Sequence, residues 1–185
     1  MPITFGLNRR LAVLALAAGI GLTGVLGLAP AAQAADENTV FLDTKDGRVT
    51  IELRPDLAPK HVAQIKTLIR QGFYNGLKFH RVMDGFMAQT GDPTGTGSGG
   101  SDLPDLNAEF NAEPHVRGTC SMARTNFPHS ANSQFFICFD DARFLDKQYT
   151  VWGKVVEGMD VVDTLNKGEP PRSPDKIVKA TVAAA

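Results

Sequence analysis

The chain has 185 residues, of which 19 are lysine or arginine and 20 are aspartate or glutamate, and its net charge is −1. This length allows one domain with a substantial core. The balanced charge argues against a nucleic-acid partner held by a basic surface. The four histidines and two cysteines are scattered without zinc-site spacing, so we expect neither a metal nor another cofactor.

Residues 1–34 differ in composition from the rest of the chain. Arg9-Arg10 forms a positive region, an apolar segment follows at 11–28, and small residues at 32–34 suit a cleavage site. We predict a signal peptide cut before Ala35, a periplasmic or secreted protein, and no stable membrane association after cleavage. An uncleaved anchor is the alternative, because the apolar segment approaches the ~20 residues of a membrane span. Both Sec and twin-arginine export are compatible with this segment.

Two strands and a helix begin the predicted domain, which covers residues 35–185. The strands lie at 40–42 and 49–53, and Asp46-Gly47 between them is a strong hairpin-turn signal. A helix then starts at Pro59 and stops near Gly72. Its apolar side chains recur at helical spacing and should cover a core, namely Val62, Ile65, Leu68 and Ile69.

A glycine-rich run follows further strand-like sequence at 73–89. Its glycines, concentrated at 95–100, could cradle a phosphate. However, no Gly-Lys-Ser/Thr follows, and no strand leads into a helix here. We therefore predict a flexible surface loop.

The second half of the chain again reads mostly as strands. We predict strands at 118–124, 134–139, 149–156 and 176–182, and a short helix that ends near Gly168. Strands and helices do not alternate as they do in parallel sheets. The order therefore predicts a mainly antiparallel β fold with two helices.

Three motifs resemble the cyclophilin family of peptidyl-prolyl cis-trans isomerases. They are Phe79-His80-Arg81, the run from Gly85 to Asp92 (Gly-Phe-Met-Ala-Gln-Thr-Gly-Asp), and Ser133-Gln134-Phe135-Phe136-Ile137. The resemblance covers essentially all of residues 38–182. It implies a closed eight-stranded antiparallel barrel capped by two helices. It also implies an isomerase that binds proline-containing polypeptides. Together with the predicted export, this makes unfolded or partly folded exported polypeptides the expected clients, whose folding the protein would assist. Nothing in the sequence suggests an obligate partner, so we expect a monomer.

The resemblance also assigns roles to individual residues. Arg81 matches the catalytic arginine, and Gln89 matches the residue that holds the substrate carbonyl and positions that arginine. The implied proline pocket consists of Phe86, Met87, Phe136 and Leu145. The implied neighbouring groove is lined by Ala123, the backbone of Arg124, and Gln134.

Two substrate-site positions depart from the eukaryotic pattern of this family. Phe144 stands where many members have a tryptophan that contacts cyclosporin, and Tyr149 stands where many have a histidine. Phenylalanine at the first position resembles bacterial exported members. It argues against tight cyclosporin binding, because the indole N–H donor is lost.

Strand alternation supports an external groove independently of the resemblance. Gln134 and Phe136 share one face of a strand and Phe135 lies on the other, while Met87 and Gln89 share a face if their segment is extended. Core packing is the alternative for the two apolar side chains. A glutamine on the same face in each strand argues against it, because a buried amide needs several partners.

Prolyl isomerisation is a reaction that such a groove can catalyse without a nucleophile. The barrier of ~18–20 kcal/mol comes from amide resonance, and a fixed cation can stabilise the twisted amide by donating to its nitrogen. A non-enzymatic proline-binding module or holdase is the main alternative, but it has no need of Arg81 and Gln89. A small-molecule or nucleotide-binding barrel has only the glycine-rich run in its favour.

The same alternation predicts which face of the sheet each of the two cysteines occupies. If Ala123 faces the groove, Cys120 faces the barrel interior, whereas Cys138 has the parity of Phe136 and faces outward. Opposite faces disfavour a disulfide. A β-bulge would upset this count and leave the pairing open.

Overall fold

The computed structural model describes residues 37–183, so the predicted signal peptide lies outside the described residues. Within them, eight β-strands, two α-helices and a 3₁₀ turn form the fold. In chain order they are β1 (Thr39–Thr44), β2 (Gly47–Leu53), α1 (Pro59–Arg70), β3 (Arg81–Met83), β4 (Met87–Thr90), β5 (Thr119–Met122), β6 (Phe135–Cys138), the 3₁₀ turn (Arg143–Leu145), β7 (Val151–Glu157), α2 (Met159–Asp163) and β8 (Lys179–Val182).

The strands form one antiparallel sheet in the order β3-β4-β6-β5-β7-β2-β1-β8. The predicted antiparallel β fold with two helices is confirmed, but the predicted closed barrel is wrong. The sheet is an open, curled half-barrel with β3 and β8 as its edges. Among the described residues, an isolated bridge between Lys78 and Lys176 stands where a closing ladder would run. The facing residues are joined by separate backbone hydrogen bonds, from Gly76 to Ile177, from Ile177 to Leu77 and from Phe79 to Asp175, and these do not continue into a ladder between the edge strands.

Helix α1 begins at Pro59, as predicted, and its amphipathic pattern buries the expected apolar face. A distant carboxylate caps it: Glu109 accepts hydrogen bonds from the backbone N–H groups of Lys60 and His61, at 3.1 Å each to Oε2. The first N–H groups of a helix have no partner within the helix, so Glu109 satisfies them and complements the helix dipole. No helix within residues 37–183 is long and apolar enough to span a membrane.

Two apolar clusters lie on opposite faces of the sheet. The larger one, the core cluster, receives Phe135 and Ile137 of β6 and Ala88 of β4 together with the buried face of α1. The smaller one, the groove cluster, consists of Met87, Phe136, Cys138, Ala142 and Leu145. The alternation predicted for β4 and β6 is therefore confirmed, and it places a second apolar surface outside the main core.

Candidate active site

One row of side chains crosses the sheet from the edge strand into the groove cluster. Arg81 of β3 lies opposite Gln89 of β4, and Gln89 lies opposite Phe136 of β6. Neighbouring strands are about 4.8 Å apart, so the backbones at Arg81 and Phe136 lie about 10 Å apart across the sheet. The long arginine side chain can therefore reach the space above an apolar floor.

The two polar members of this row, Arg81 and Gln89, form a hydrogen-bond chain with Gln134, which precedes β6. Nη1 of Arg81 lies 3.5 Å from Oε1 of Gln89, and Nε2 of Gln89 donates to Oε1 of Gln134 at 2.8 Å. Nε2 of Gln134 donates in turn to the carbonyls of Gly97 at 3.0 Å and Gly99 at 2.8 Å. Each amide thus has its oxygen and nitrogen assigned by its neighbours, which fixes the orientation of both glutamines.

The glycine-rich run is held in place by Asp92, which is only 1% exposed. Its Oδ2 accepts hydrogen bonds from the backbone N–H groups of Thr96, Gly97 and Gly99, and its Oδ1 accepts from Thr94. Burial alone would raise the pKa of Asp92, but the bonds from Thr94, Gly99 and Gly97 outweigh it and lower the pKa to about 2. The predicted surface loop is present, but a buried carboxylate organises it.

The predicted pocket side chains meet in and around the groove cluster. Phe136 and Leu145 are 5% and 9% exposed, whereas Met87 is 1% exposed and lies beneath the surface. Phe86 packs on Phe144 with ring centroids 5.5 Å apart. Phe144 is 67% exposed. The pocket therefore has a buried apolar floor and an exposed aromatic rim.

Tyr149 and Arg124 form a second part of the rim. The Tyr149 ring meets the Phe136 ring edge-on at 5.9 Å, and the Arg124 guanidinium carbon lies 4.6 Å from the Tyr149 centroid. Nε and Nη2 of Arg124 donate to the carbonyl of Gln148 at 3.0 and 2.9 Å. The Arg124 side chain, and not only its backbone, therefore shapes this side of the groove.

A cavity of about 570 Å³ opens beside Gln134. Ala123 lies in its wall and donates a backbone hydrogen bond to the carbonyl of Gln134 at 3.0 Å. The cavity walls combine the glycine-rich run with the segment after β5. Its lining includes Gly97, Gly99, Ala123, Arg124, Asn132 and Gln134.

A buried histidine supports the pocket floor from behind. Nδ1 of His115 lies 3.0 Å from Asp146 Oδ1, and its Nε2 lies 3.0 Å from Ser121 Oγ. Burial lowers the pKa of His115, although Asp146 opposes this effect. His115 is therefore a structural residue, and its place behind the pocket has no signal in the spacing of the sequence.

Glu169 is a further site residue that no local sequence pattern marks. Its Oε2 accepts a hydrogen bond from Nε of Arg81 at 2.6 Å. The two side chains are 47% and 40% exposed, respectively. The contact joins residues 88 positions apart in the chain.

The two cysteines lie on opposite faces of the sheet, as predicted. Cys120 belongs to the core cluster and Cys138 to the groove cluster, and both are free thiols. Burial raises the pKa of Cys120 well above its ordinary value and that of Cys138 to about 12. No group of three or more potential metal ligands occurs among residues 37–183.

The site thus combines a cation at the edge of an apolar pocket with two oriented amides. The family model of the cyclophilin type peptidyl-prolyl cis-trans isomerases matches residues 39–182. A probable peptidyl-prolyl cis-trans isomerase of Brucella suis is 57% identical over 187 residues, which cover 92% of this chain and 95% of the relative. One from Helicobacter pylori is 42% identical, covering 69% of this chain and 80% of the relative.

Solved structures agree with this assignment. A cyclophilin from Hirschia baltica matches with a TM-score of 0.74 and 38% identity, covering 80% of this chain and 74% of that one. A cyclophilin type isomerase from Cryptosporidium parvum, crystallised in the presence of the dipeptide Ala-Pro, matches with a TM-score of 0.74 and 29% identity, covering 80% and 99%. The chain belongs to the cyclophilin family, and it is a peptidyl-prolyl cis-trans isomerase.

Proposed function

We propose that this isomerase acts on X–Pro bonds of exported polypeptides, with the groove cluster and the hydrogen-bond chain as its active site. The observation that carries the proposal is the row Arg81-Gln89-Phe136, which sets a cation beside an apolar floor. The export assignment rests on the composition of residues 1–34. The predicted monomer and its client class belong to the same proposal.

Binding of the proline ring is the first step of the mechanism. Phe136 and Leu145 offer an apolar floor, and Phe86 stands at the rim. A ring placed there loses contact with water and gains the transfer energy of its apolar surface. The Cryptosporidium relative crystallised with Ala-Pro supports a proline-containing peptide as the ligand.

Rotation of the bound bond is the second step. As the amide twists, resonance is lost and the lone pair becomes localised on the prolyl nitrogen. Arg81 then donates a hydrogen bond to that nitrogen, which stabilises the twisted form more than either planar form. Each tenfold acceleration requires about 1.4 kcal/mol of such selective stabilisation, within reach of a charge-assisted hydrogen bond.

The orientation of Gln89 assists this step. Its Oε1 faces Arg81 and its Nε2 donates to Gln134. The hydrogen bond to Gln134 thus fixes the amide that orients the arginine. Arg81 is 40% exposed at its side chain and can therefore be reached by a polypeptide in the groove.

The direct test measures cis-trans exchange of a short X–Pro peptide by residues 35–185 and by its Arg81→Ala variant. We expect clear acceleration by the first protein and a loss of at least about tenfold in the variant, which should still unfold cooperatively. Equal activity of the two proteins would exclude Arg81 as the catalytic cation. A Phe136→Ala variant should raise KM, because the pocket floor is removed.

A holdase activity is the second candidate function. Phe127 and Phe144 are 76% and 67% exposed, so the surface offers apolar contacts to unfolded chains. If this activity exists, Arg81→Ala should suppress aggregation of an unfolded client as well as the wild-type chain does. Equal failure of both proteins to suppress aggregation would leave the isomerase as the sole function.

The export proposal is tested separately from the chemistry. The full chain is expressed in a Gram-negative bacterium and recovered from the periplasm, where its N-terminal residue should be Ala35. Recovery of the chain with Met1 in the membrane fraction would establish the anchor instead. Weak cyclosporin binding is expected because Phe144 offers no N–H donor, and titration of the Phe144→Trp variant should show tighter binding.

A further inference from the structure

We propose that Glu169 is a positioning residue for Arg81, and the inference rests on the catalytic role of Arg81 proposed above. Glu169 and Arg81 are joined by a hydrogen-bonded ion pair of 2.6 Å between Oε2 and Nε. Because Nε is the nitrogen nearest the aliphatic part of the arginine side chain, a carboxylate there restricts how the guanidinium plane can rotate.

The segment that carries Glu169 is attached directly to the strand that carries Arg81. Gly168 and Val82 exchange two backbone hydrogen bonds of 2.8 Å each, so Glu169 follows a residue paired with the neighbour of Arg81. Gly168 has φ +148°, and a Cβ there would lie 2.6 Å from Cα of Pro171. Position 168 therefore requires glycine. The tight turn that this glycine allows fixes the position of Glu169 next to β3.

The base of this segment is also anchored. The backbone N–H of Asn166 donates to Oδ2 of Asp175 at 2.7 Å, and its side-chain amide donates to the same oxygen at 3.1 Å. Asp175 is 5% exposed, and the backbone N–H of Phe79 donates to its carbonyl at 2.9 Å. Both ends of the segment are thus tied to the chain on either side of Arg81.

The guanidinium is held from two directions. Glu169 accepts from Nε, and Gln89 accepts from Nη1. A planar group with two of its three nitrogens engaged has its plane determined. Within residues 37–183, neither of these contacts occupies Nη2, which remains to donate to the prolyl nitrogen of a substrate.

A carboxylate next to the catalytic cation could instead weaken it, so the two effects must be compared. The guanidinium stays charged in any protein environment, and proximity to Glu169 does not change that. Its donation to the substrate depends on the direction of the N–H bond, and a free arginine side chain samples many rotamers. On this proposal the gain in orientation exceeds the partial compensation of charge, so that Glu169 promotes the reaction.

Kinetics of single and double variants at positions 169 and 81 test the proposal, with peptide exchange as the assay. Glu169→Ala should lower kcat by about two- to fivefold, the range open to a partly exposed ion pair, and should change KM by less than about twofold, because the apolar floor is untouched. Glu169→Gln keeps a carbonyl acceptor and should recover most of kcat. In the Arg81→Ala background, Glu169→Ala should have no further effect.

Asp163→Ala is the matched control. It breaks an ion pair with Arg117 of 2.7 Å, in which both side chains are 47% exposed, outside the active site. Its kcat should equal that of the wild-type chain. An equal loss in Asp163→Ala and Glu169→Ala, or a loss from Glu169→Ala that persists without Arg81, would overturn the positioning role. Full activity of Arg81→Ala would instead contradict the proposed active site itself.

A spectroscopic measurement separates positioning from a structural effect. The Nε–H proton of Arg81 should give a protected, hydrogen-bonded NMR signal in the wild-type chain. That signal should exchange faster with water in Glu169→Ala, while the backbone spectrum stays unchanged elsewhere. An unaltered Nε–H signal would show that Glu169 does not hold Arg81 in solution.

Discussion

His115 stacks on Phe136, with ring centroids 6.1 Å apart and ring planes inclined by 21°. The floor of the pocket thus rests on an imidazole that is itself fixed by Asp146 and Ser121. The contact couples a fully buried polar group to a substrate-binding surface. Changes at His115 should therefore affect both folding and binding.

Replacement of His115 by alanine should lower the free energy of unfolding by about 2–4 kcal/mol, because it leaves a cavity and an unpaired Ser121 hydroxyl. It should also raise KM, since Phe136 loses its support. Urea unfolding and peptide kinetics measure the two effects. Ser121→Ala is the control, which removes one hydrogen bond of about 1 kcal/mol and should leave KM close to the wild-type value.

Stability should fall as the pH drops below about 6.5. Burial lowers the pKa values of His61, His80 and His115 in the folded chain. The unfolded chain therefore binds more protons in this range, and the free energy of unfolding declines with falling pH. Urea titrations between about pH 7.5 and pH 5 check this slope. A constant free energy of unfolding across that range would show that burial does not lower the pKa values of these histidines.

Asp92 should make a separate contribution to the free energy of unfolding, and this contribution should be lost in acid. Its pKa is about 2 in the fold against 3.8 ordinarily, which corresponds to about 2 kcal/mol at neutral pH. This contribution should be lost as the pH falls from about 4 to about 2. Asp92→Asn should lose a similar amount of stability at pH 7 and should lower kcat, because the loop carbonyls that hold Gln134 are released. An unchanged kcat in this variant would show that the glycine-rich loop does not contribute to catalysis.

The two thiols should be unreactive in the folded protein. The pKa of Cys138 is about 12 and that of Cys120 is also raised, so at about pH 8 the thiolate fraction is on the order of 10⁻⁴ for Cys138. A chromogenic disulfide reagent should label neither cysteine until denaturant is added, when both should react. Rapid labelling of the native chain would show that one of the cysteines is accessible.

The sequence predicted those parts of the site that depend on local regularity. The two-residue period of these segments places Gln89 of β4, Phe136 of β6 and Gln134 just before β6 on one face, and the structure agrees, since Gln89 is paired with Phe136 and hydrogen-bonded to Gln134. Cys120 and Cys138 were assigned to opposite faces by the same count. Motif matches supplied the remaining pocket residues, whose substrate contacts stay predictions.

Three contributions could not be read from the sequence because they depend on distant partners. Glu169 reaches Arg81 through a segment whose path is set by Gly168, and His115 reaches Phe136 only once β5 and β6 are paired. The closed barrel, which was implied by the family resemblance, also failed as a prediction. Motif matches and strand alternation identify strands, but neither determines whether the two edge strands pair with each other.

The presence of two apolar clusters on opposite faces has a consequence for how this protein can diverge. Side chains that select a ligand and side chains that keep the chain folded occupy alternate positions of the same short strands. The two sets of side chains pack against different neighbours, because they point to opposite faces of the sheet. A lineage could therefore alter ligand preference at Phe136 or Leu145 while retaining Phe135 and Ile137, so that new specificity evolves on an inherited scaffold.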